Sequence, residues 1–265
     1  MFITKKGSPS VMHGTPRNGR KNPRFTIQET PYLNNFVDNI CRLRLSLRVL
    51  LGYLFAFFCH IGEGGGKNGV YEEADMLCEV KEAIDDASSQ CQKCFGEVPK
   101  VVIHDRRKCK RFVYIPEHLH HIFFELLKNA MRAVCETHSN KLKPIDINST
   151  DTITIKIEDK GGGIPRTDID NIWLYSYTTA VDPYGRTRKE LFELLQKEAQ
   201  IASQQSMLVA LKNIPMFGLG YGLSIAKLYA RYYGGDCKIF SIHGHGTDAY
   251  VYLNDLFKSN STTVG

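Results

Sequence analysis

Apolar residues recur at helical spacing from Pro31 to His60, with Cys41, Leu45, Val49 and Phe55 among many on a very apolar surface. The spacing predicts one long helix lying inside a bundle. Its most apolar part, Val49 to Cys59, is far shorter than a membrane span and reads as buried helix. Helical spacing resumes from Tyr71 to Phe95, and Pro99 separates this stretch from the next. Beyond that point the pattern mixes periods. Val101 to Ile103 and Phe112 to Ile115 are short strand candidates, and Pro116 suits the first turn of a helix running to about Thr137. DTITIKIED, Asp151 to Asp159, alternates with Ile153, Ile155 and Ile157 on one face, which predicts a strand. A helical stretch follows at Leu191 to Leu211, then a second from Gly222 to Tyr233 closed by Gly234 and Gly235. Two strands, Cys237 to Ile242 and Ala249 to Leu253, flank the hairpin-like GHGTD. The expected fold is an α/β sandwich, helices over a mixed sheet, preceded by a mostly helical segment.

Composition changes this picture little. At 265 residues, 43% hydrophobic and 23% charged, the chain is long enough for a substantial core and reads as globular. The net charge of +6 is dispersed, so it does not choose a partner, and neither a nucleic-acid partner nor a membrane span is expected. Residues 1–28 carry Lys5, Lys6, Arg17, Arg20, Lys21 and Arg24 with no acid, which reads as a disordered arm or a degenerate targeting segment. Eight scattered cysteines suggest a reducing compartment, and the lone Cys91-x-x-Cys94 reads as packed thiols rather than a zinc site.

Candidate chemistry lies on two polar faces. GGGK within Glu63 to Gly69 follows no strand and no Ser or Thr follows its lysine, so it fails as a Walker loop and reads as a mobile loop. In EHLHHIFFELLKNAMRAVCET, His121, Glu125 and Asn129 recur every four residues and stack along one helix face, away from Leu119, Phe123, Leu126, Ala130 and Val134. DKGGG, Asp159 to Gly163, puts a short acid at a strand end before a flexible turn, which suits either a pocket carboxylate or an Asx-capped turn. Gly218, Gly220 and Gly222 immediately precede a helix, whose free amides can bind phosphate oxygens, although the spacing is not that of a dinucleotide fingerprint.

In this order the blocks FELLKNAMRA, DKGGGIP, SYTTA, FGLGYG and GHGTD resemble the ATP-binding fold shared by gyrase, heat-shock protein 90, MutL and sensor histidine kinases. More closely, HHIFFELLKNAMRA, IWLYSYTTA, FGLGYGLSIAKLYARYYGGD and GTDAYVYL resemble the mitochondrial kinases that phosphorylate pyruvate or branched-chain 2-oxoacid dehydrogenase, over about residues 31–257. The resemblance implies a partial helical bundle at 29–98, a histidine-kinase-like ATP-binding domain at 99–257 and a short tail at 258–265. It implies ATP and Mg2+ as ligands, with Asn129 on the metal, Asp159 accepting from the adenine amine, and Gly161 and Gly163 keeping the backbone close. Gly218, Gly220, Tyr221, Gly222 and Leu223 resemble the phosphate lid, and Thr178, Gly246 and Thr247 resemble nucleotide-contacting positions. Arg132 reads either as a phosphate contact or as a surface salt bridge. Glu125 is the expected general base for a substrate serine, with His121 hydrogen-bonding to it and tuning it.

The implied function is protein-serine kinase activity on the E1 alpha subunit of a 2-oxoacid dehydrogenase in the mitochondrial matrix, pyruvate dehydrogenase somewhat favoured. The other readings are a sensor histidine kinase-type enzyme and a catalytically weak ATP-binding regulatory protein. The resemblance also implies the lipoyl domain of E2 and a second copy of the chain as partners. Relative to the family, the opening helices of the bundle and the distal Asp-Trp element are not recognisable. SYTTA differs from the family's serine-threonine form, and residues 181–215 lengthen the approach to the glycine lid.

Overall fold

The computed structural model describes residues 30–62, 72–106, 111–138, 141–150, 153–179 and 220–255, together with positions 190 and 193. The long apolar segment forms α1, Thr30–Gly62. The stretch expected to be helical from Tyr71 instead begins as β1, Glu72–Asp75, and becomes α2 only at Met76–Phe95. The boundary has a local cause. Residues 72–75 pair antiparallel with β3, Arg111–Tyr114, and the Asp75 side chain then accepts from Leu77 N at 3.0 Å, capping the helix. Gly96, at φ 76°, ends α2 with its N–H donating to Gln92 O.

After β2, Val101–Asp105, and β3, Pro116 sits in the first turn of α3, Pro116–Thr137, as its fixed φ favours. Two strands follow, β4, Ile145–Thr150, and β5, Thr154–Asp159. The sequence pattern predicts only the second; Ile153 stands in a turn before it, and Asp151 and Thr152 lie outside the described residues. The final unit is α4, Gly222–Tyr232, then β6, Asp236–Ile242, and β7, Gly246–Tyr252. Gly246, Thr247 and Asp248 therefore belong to the β7 strand, and only residues 243–245 turn the hairpin. The loop at 63–69, most of the helix at 191–211 and Gly218 lie outside the described residues.

The main sheet runs β2-β4-β5-β7-β6, with β2 and β4 parallel and every other neighbour antiparallel. Ile145, Ile147, Ile155, Ile157, Cys237 and Val251 turn one face of it into a core with Leu119, Ile122, Phe123, Leu127 and Met131 of α3 and Val80 and Ala87 of α2. The opposite face is polar: Lys156 pairs with Glu158 at 2.7 Å and with Asp248 at 2.9 Å. This is a two-layer α/β sandwich. Cys91 is buried within that core, its Sγ 3.5 Å from Cys135 Sγ, and burial pushes its thiol pKa up.

α1 behaves differently from a core helix. Leu45 and Val49 pack with Ile115 and Leu228, while Leu47, Leu50, Leu51 and Phe58 are exposed, Phe58 by 67%. The burial expected from its apolar content is not met, because among the described residues α4 supplies most of what lies against it. No helix among the described residues is long and apolar enough to cross a membrane.

Candidate active site

The register between β5 and β7 sets one end of the site. Asp159 closes β5 directly opposite Thr247 at the start of β7, so a carboxylate and a hydroxyl stand side by side at the end of two interior strands. The Asp159 carboxylate accepts from Gly161 N at 2.8 Å and from the Thr247 backbone. Burial outweighs these bonds and raises its pKa to about 6. Thr247 Oγ1 lies 3.0 Å from Ser241 Oγ, which also accepts from Ile164 N at 2.7 Å. Ser241 thus ties the turn after Asp159 to the β6–β7 hairpin, a role that no local sequence signal marks.

That turn approaches α3 because its glycines carry no side chain. A Cβ on Gly161 would fall about 2.5 Å from Ala133, and Gly163, at φ 70°, has its Cβ position against Ile242 O. Thr137 Oγ1 donates to Gly161 O at 2.9 Å, and His138 Nε2 lies 2.7 Å from Lys160 O. The C-terminal end of α3 is therefore fastened to the loop that carries Asp159.

Between these elements lies a cavity of about 370 Å³. Its inner part is apolar, formed by Leu126, Ile157, Ile239 and Ala249 around Asp159 and Thr247. Its outer part is polar, with Glu125, Lys128, Asn129 and Arg132 along α3 facing Gly220, Gly222 and Leu223. An apolar slot with one buried acceptor suits a flat aromatic base bearing an exocyclic amine, and the polar end suits charged oxygens.

The outer end is built around Glu125. Its carboxylate and the Lys128 ammonium, three residues on, are both buried, and Nζ lies 2.8 Å from Oε1 and 2.7 Å from Oε2. Burial alone would raise the Glu125 pKa, but the Lys128 charge, then that of His121, and the Lys128 hydrogen bond hold it below the usual carboxylate range. Lys128 is absent from the residues expected to act here, though its i,i+3 spacing from Glu125 is the available sequence signal. His121 stands elsewhere: it does not line the cavity, its ring packs 5.1 Å from that of Tyr229, and its Nε2 has no hydrogen-bond partner among the described residues. Burial holds its imidazole below the ordinary histidine range. The hydrogen bonds to Glu125 thus come from Lys128, and the influence of His121 is electrostatic.

Opposite Glu125, α4 begins without a side-chain cap, leaving first-turn N–H groups for an acceptor. Gly220, at φ 83°, packs against Tyr177 O, and a Cβ on Gly222 would collide with the Glu125 carboxylate. Arg132 is partly buried; its Nε lies 3.6 Å from Glu136, beyond hydrogen-bond reach, and has no hydrogen-bond partner among the described residues. Thr178 lines the cavity. Tyr221 and Gly246 do not: Tyr221 packs its ring 5.9 Å from Tyr175, and Gly246 supports Asp159 from behind, where a Cβ would meet the Asp159 carbonyl. A magnesium-bound nucleotide fits this donor set, with the Asn129 amide offering a hard oxygen and Arg132 and the α4 amides offering donors to phosphate.

The fold and cavity define a nucleotide-binding domain, and a family description agrees: "Histidine kinase-, DNA gyrase B-, and HSP90-like ATPase" matches residues 114–256. The chain belongs to this ATPase family. Within it, the chain is related to mitochondrial kinases. It is 31% identical over 246 residues to pyruvate dehydrogenase (acetyl-transferring) kinase isozyme 1, mitochondrial, of Homo sapiens, covering 87% of this chain and 50% of that protein. It is 34% identical over 245 residues to the Schizosaccharomyces pombe pyruvate dehydrogenase (acetyl-transferring) kinase, covering 89% and 53%. It is 32% identical over 230 residues to the Arabidopsis thaliana kinase of that name, covering 84% and 58%. The chain spans about half the length of the curated relatives it matches.

Proposed function

We propose that the protein is an ATP-dependent protein-serine kinase that phosphorylates, and so inhibits, the E1 alpha subunit of a mitochondrial 2-oxoacid dehydrogenase, with pyruvate dehydrogenase favoured by the names of its relatives. The matrix is the compartment this substrate requires. The observation that carries the reading is the buried Glu125 carboxylate at the polar end of the cavity, kept ionised by Lys128.

In this mechanism Asp159 and Thr247 hold the adenine end, and the glycine turn from Gly161 to Gly163 keeps the backbone against it. Arg132 and the first turn of α4, from Gly222, hold the phosphates. Asn129 would hold a magnesium ion, which when bound would supply charge neutralisation at the transferring phosphoryl group. Glu125 accepts the proton of the substrate serine hydroxyl as it attacks. A depressed pKa makes this carboxylate a weak base that is available over the whole neutral range, so orientation and water exclusion carry much of the rate. Lys128 orients the carboxylate and supplies the charge that keeps it ionised.

The deciding experiment incubates the purified protein with magnesium ATP and pyruvate dehydrogenase E1, with and without lipoyl-bearing E2, and maps the modified residue by mass spectrometry. Phosphoserine on E1 alpha, lost in Glu125→Gln while nucleotide binding persists, is the expected result. ATP binding without transfer, even with E2 supplied, would sink the kinase reading in favour of an ATP-binding regulator. An acid-labile label on the protein itself would point to phosphohistidine chemistry instead.

A further inference from the structure

We propose that the groove between α1, the turn segment around Trp173 and α4 is a binding site for a phosphate-sized oxyanion, separate from the nucleotide cavity. The groove holds about 220 Å³. Three cations line it, Arg42 from α1 and Lys227 and Arg231 from α4, against one carboxylate, Asp38. Arg42 donates to Asp38 through Nε at 2.8 Å, and Arg231 donates through Nε to Asp236, outside the lining, at 2.7 Å. Both pairs use Nε, which leaves the terminal guanidinium nitrogens as donors.

Lys227 is the surplus charge. Its ammonium sits 3.8 Å from the centre of the Trp173 ring, and among the described residues no carboxylate lies within ion-pairing distance of it. Burial, then the neighbouring Arg231 charge, hold its pKa below the ordinary lysine range, the direction that a bound anion would reverse. The strongest opposing charge acting on it, Asp236, is already paired with Arg231, so a cation partly withdrawn from water here costs free energy that an anion would recover.

The walls are held in place by their own bonds. Tyr175 donates its backbone N–H to Asn34 Oδ1 at 2.7 Å and its hydroxyl to Asp38 Oδ1 at 2.9 Å, while Ser224 Oγ donates to the Trp173 carbonyl at 2.9 Å. The face of Trp173 is covered by Lys227, so the groove offers no stacking platform for a nucleoside. What it offers is cationic donors on two helices around a small space, which suits a compact oxyanion. An anion held between Arg42 and Lys227 would add an ionic tie between α1 and α4, which already meet through Leu45 and Val49 against Leu228, with Tyr229 and Tyr232 packed beside them. The consequence reaches the nucleotide cavity, because Gly222 and Leu223 line that cavity while Ser224 and Lys227 of the same helix line the groove.

Trp173 is the only tryptophan in the chain, so its fluorescence reports on this groove. Inorganic phosphate is titrated at constant ionic strength, without nucleotide and again with the nucleotide cavity saturated by a non-hydrolysable ATP analogue and magnesium. The expected result is a saturable change with an apparent Kd of about 1 mM or tighter in both conditions. The Kd weakens at least tenfold in Lys227→Gln and in Arg42→Gln, each checked for an unchanged circular dichroism spectrum and confirmed by calorimetry. Acetate at the same ionic strength gives no saturable change. A response that is unsaturable, matched by acetate, or unaltered by both variants would overturn the proposal. Failure of phosphate transfer to E1 alpha would leave this result unaffected, because the titration without nucleotide is independent of that reading.

Discussion

Gly222, the first residue of α4, lies so close to Glu125 of α3 that a Cβ there would stand 2.6 Å from the carboxylate carbon. Two helices far apart in the sequence, α3 ending at Thr137 and α4 beginning at Gly222, meet at this point. One contributes a buried anion and the other an uncapped N-terminus, and the missing side chain lets them share one end of the cavity.

Gly222→Ala should therefore disturb the site as well as the helix. Alanine itself favours helix, so any loss comes from displacing Glu125 or α4. Overpacking of this kind costs about 1–3 kcal/mol, visible as a lower denaturation midpoint, together with weaker nucleotide binding by calorimetry. A variant as stable as wild type with unchanged ATP affinity would show that the contact relaxes freely.

Lys128→Met removes one partner of a buried ion pair and leaves the other uncompensated, a change that typically costs about 3–5 kcal/mol. In the native protein the Glu125 pKa is depressed, so its stabilising contribution is present above its unfolded value, near 4.5, and is lost as pH falls through the lower folded value. Without Lys128, burial dominates and the carboxyl pKa rises. The acid limb of the pH–rate profile for phosphate transfer should move to higher pH in Lys128→Met and stay near wild type in Lys128→Arg. An unmoved limb in both would remove Lys128 from the ionisation of Glu125.

Asp159 has the opposite sign. Its folded pKa, about 6, lies above its unfolded value of 3.8, so its ionisation opposes folding: that cost is absent below the unfolded value and fully present above the folded one. The gap of about two pH units corresponds to about 3 kcal/mol at neutral pH. Asp159→Asn should match or exceed wild-type stability at pH 7.5 while losing at least tenfold in ATP affinity. Wild-type affinity should itself weaken as pH falls through about 6. A destabilised Asp159→Asn protein that still binds ATP normally would contradict both parts.

Arg132 can be tested by comparing two ligands. Arg132→Met should weaken ATP binding about tenfold or more and leave adenosine binding unchanged, since the proposed contact is with phosphate alone. Equal affinity of wild type and variant for ATP would assign Arg132 to its pairing with Glu136.

Much of the architecture follows from local periodicity. Proline at 116 and the apolar spacing from Leu119 to Val134 specify α3, the alternation through Ile155 and Ile157 specifies β5, and Gly222 to Tyr232 marks α4. These signals need only neighbours along the chain, and the stacking of Glu125 and Asn129 on one helix face follows from the same 3.6-residue turn. β1 and β4 were not legible, because Glu72–Asp75 and Ile145–Thr150 are short and become strands by pairing with partners elsewhere in the chain. The ordered motifs indicated a nucleotide site, but its internal relations are tertiary. Asp159 meets Thr247 through a strand register, and Gly222 meets Glu125 through helix packing. Lys128 rather than His121 holds the carboxylate because burial excludes water from the pair, and the groove around Lys227 exists only once α1 and α4 lie together. The order of residues along the chain is enough to set most elements and the residue types at the site. Which of those residues are withdrawn from water is settled by folding, and that withdrawal sets whether a charge is paired, shifted or left seeking a ligand.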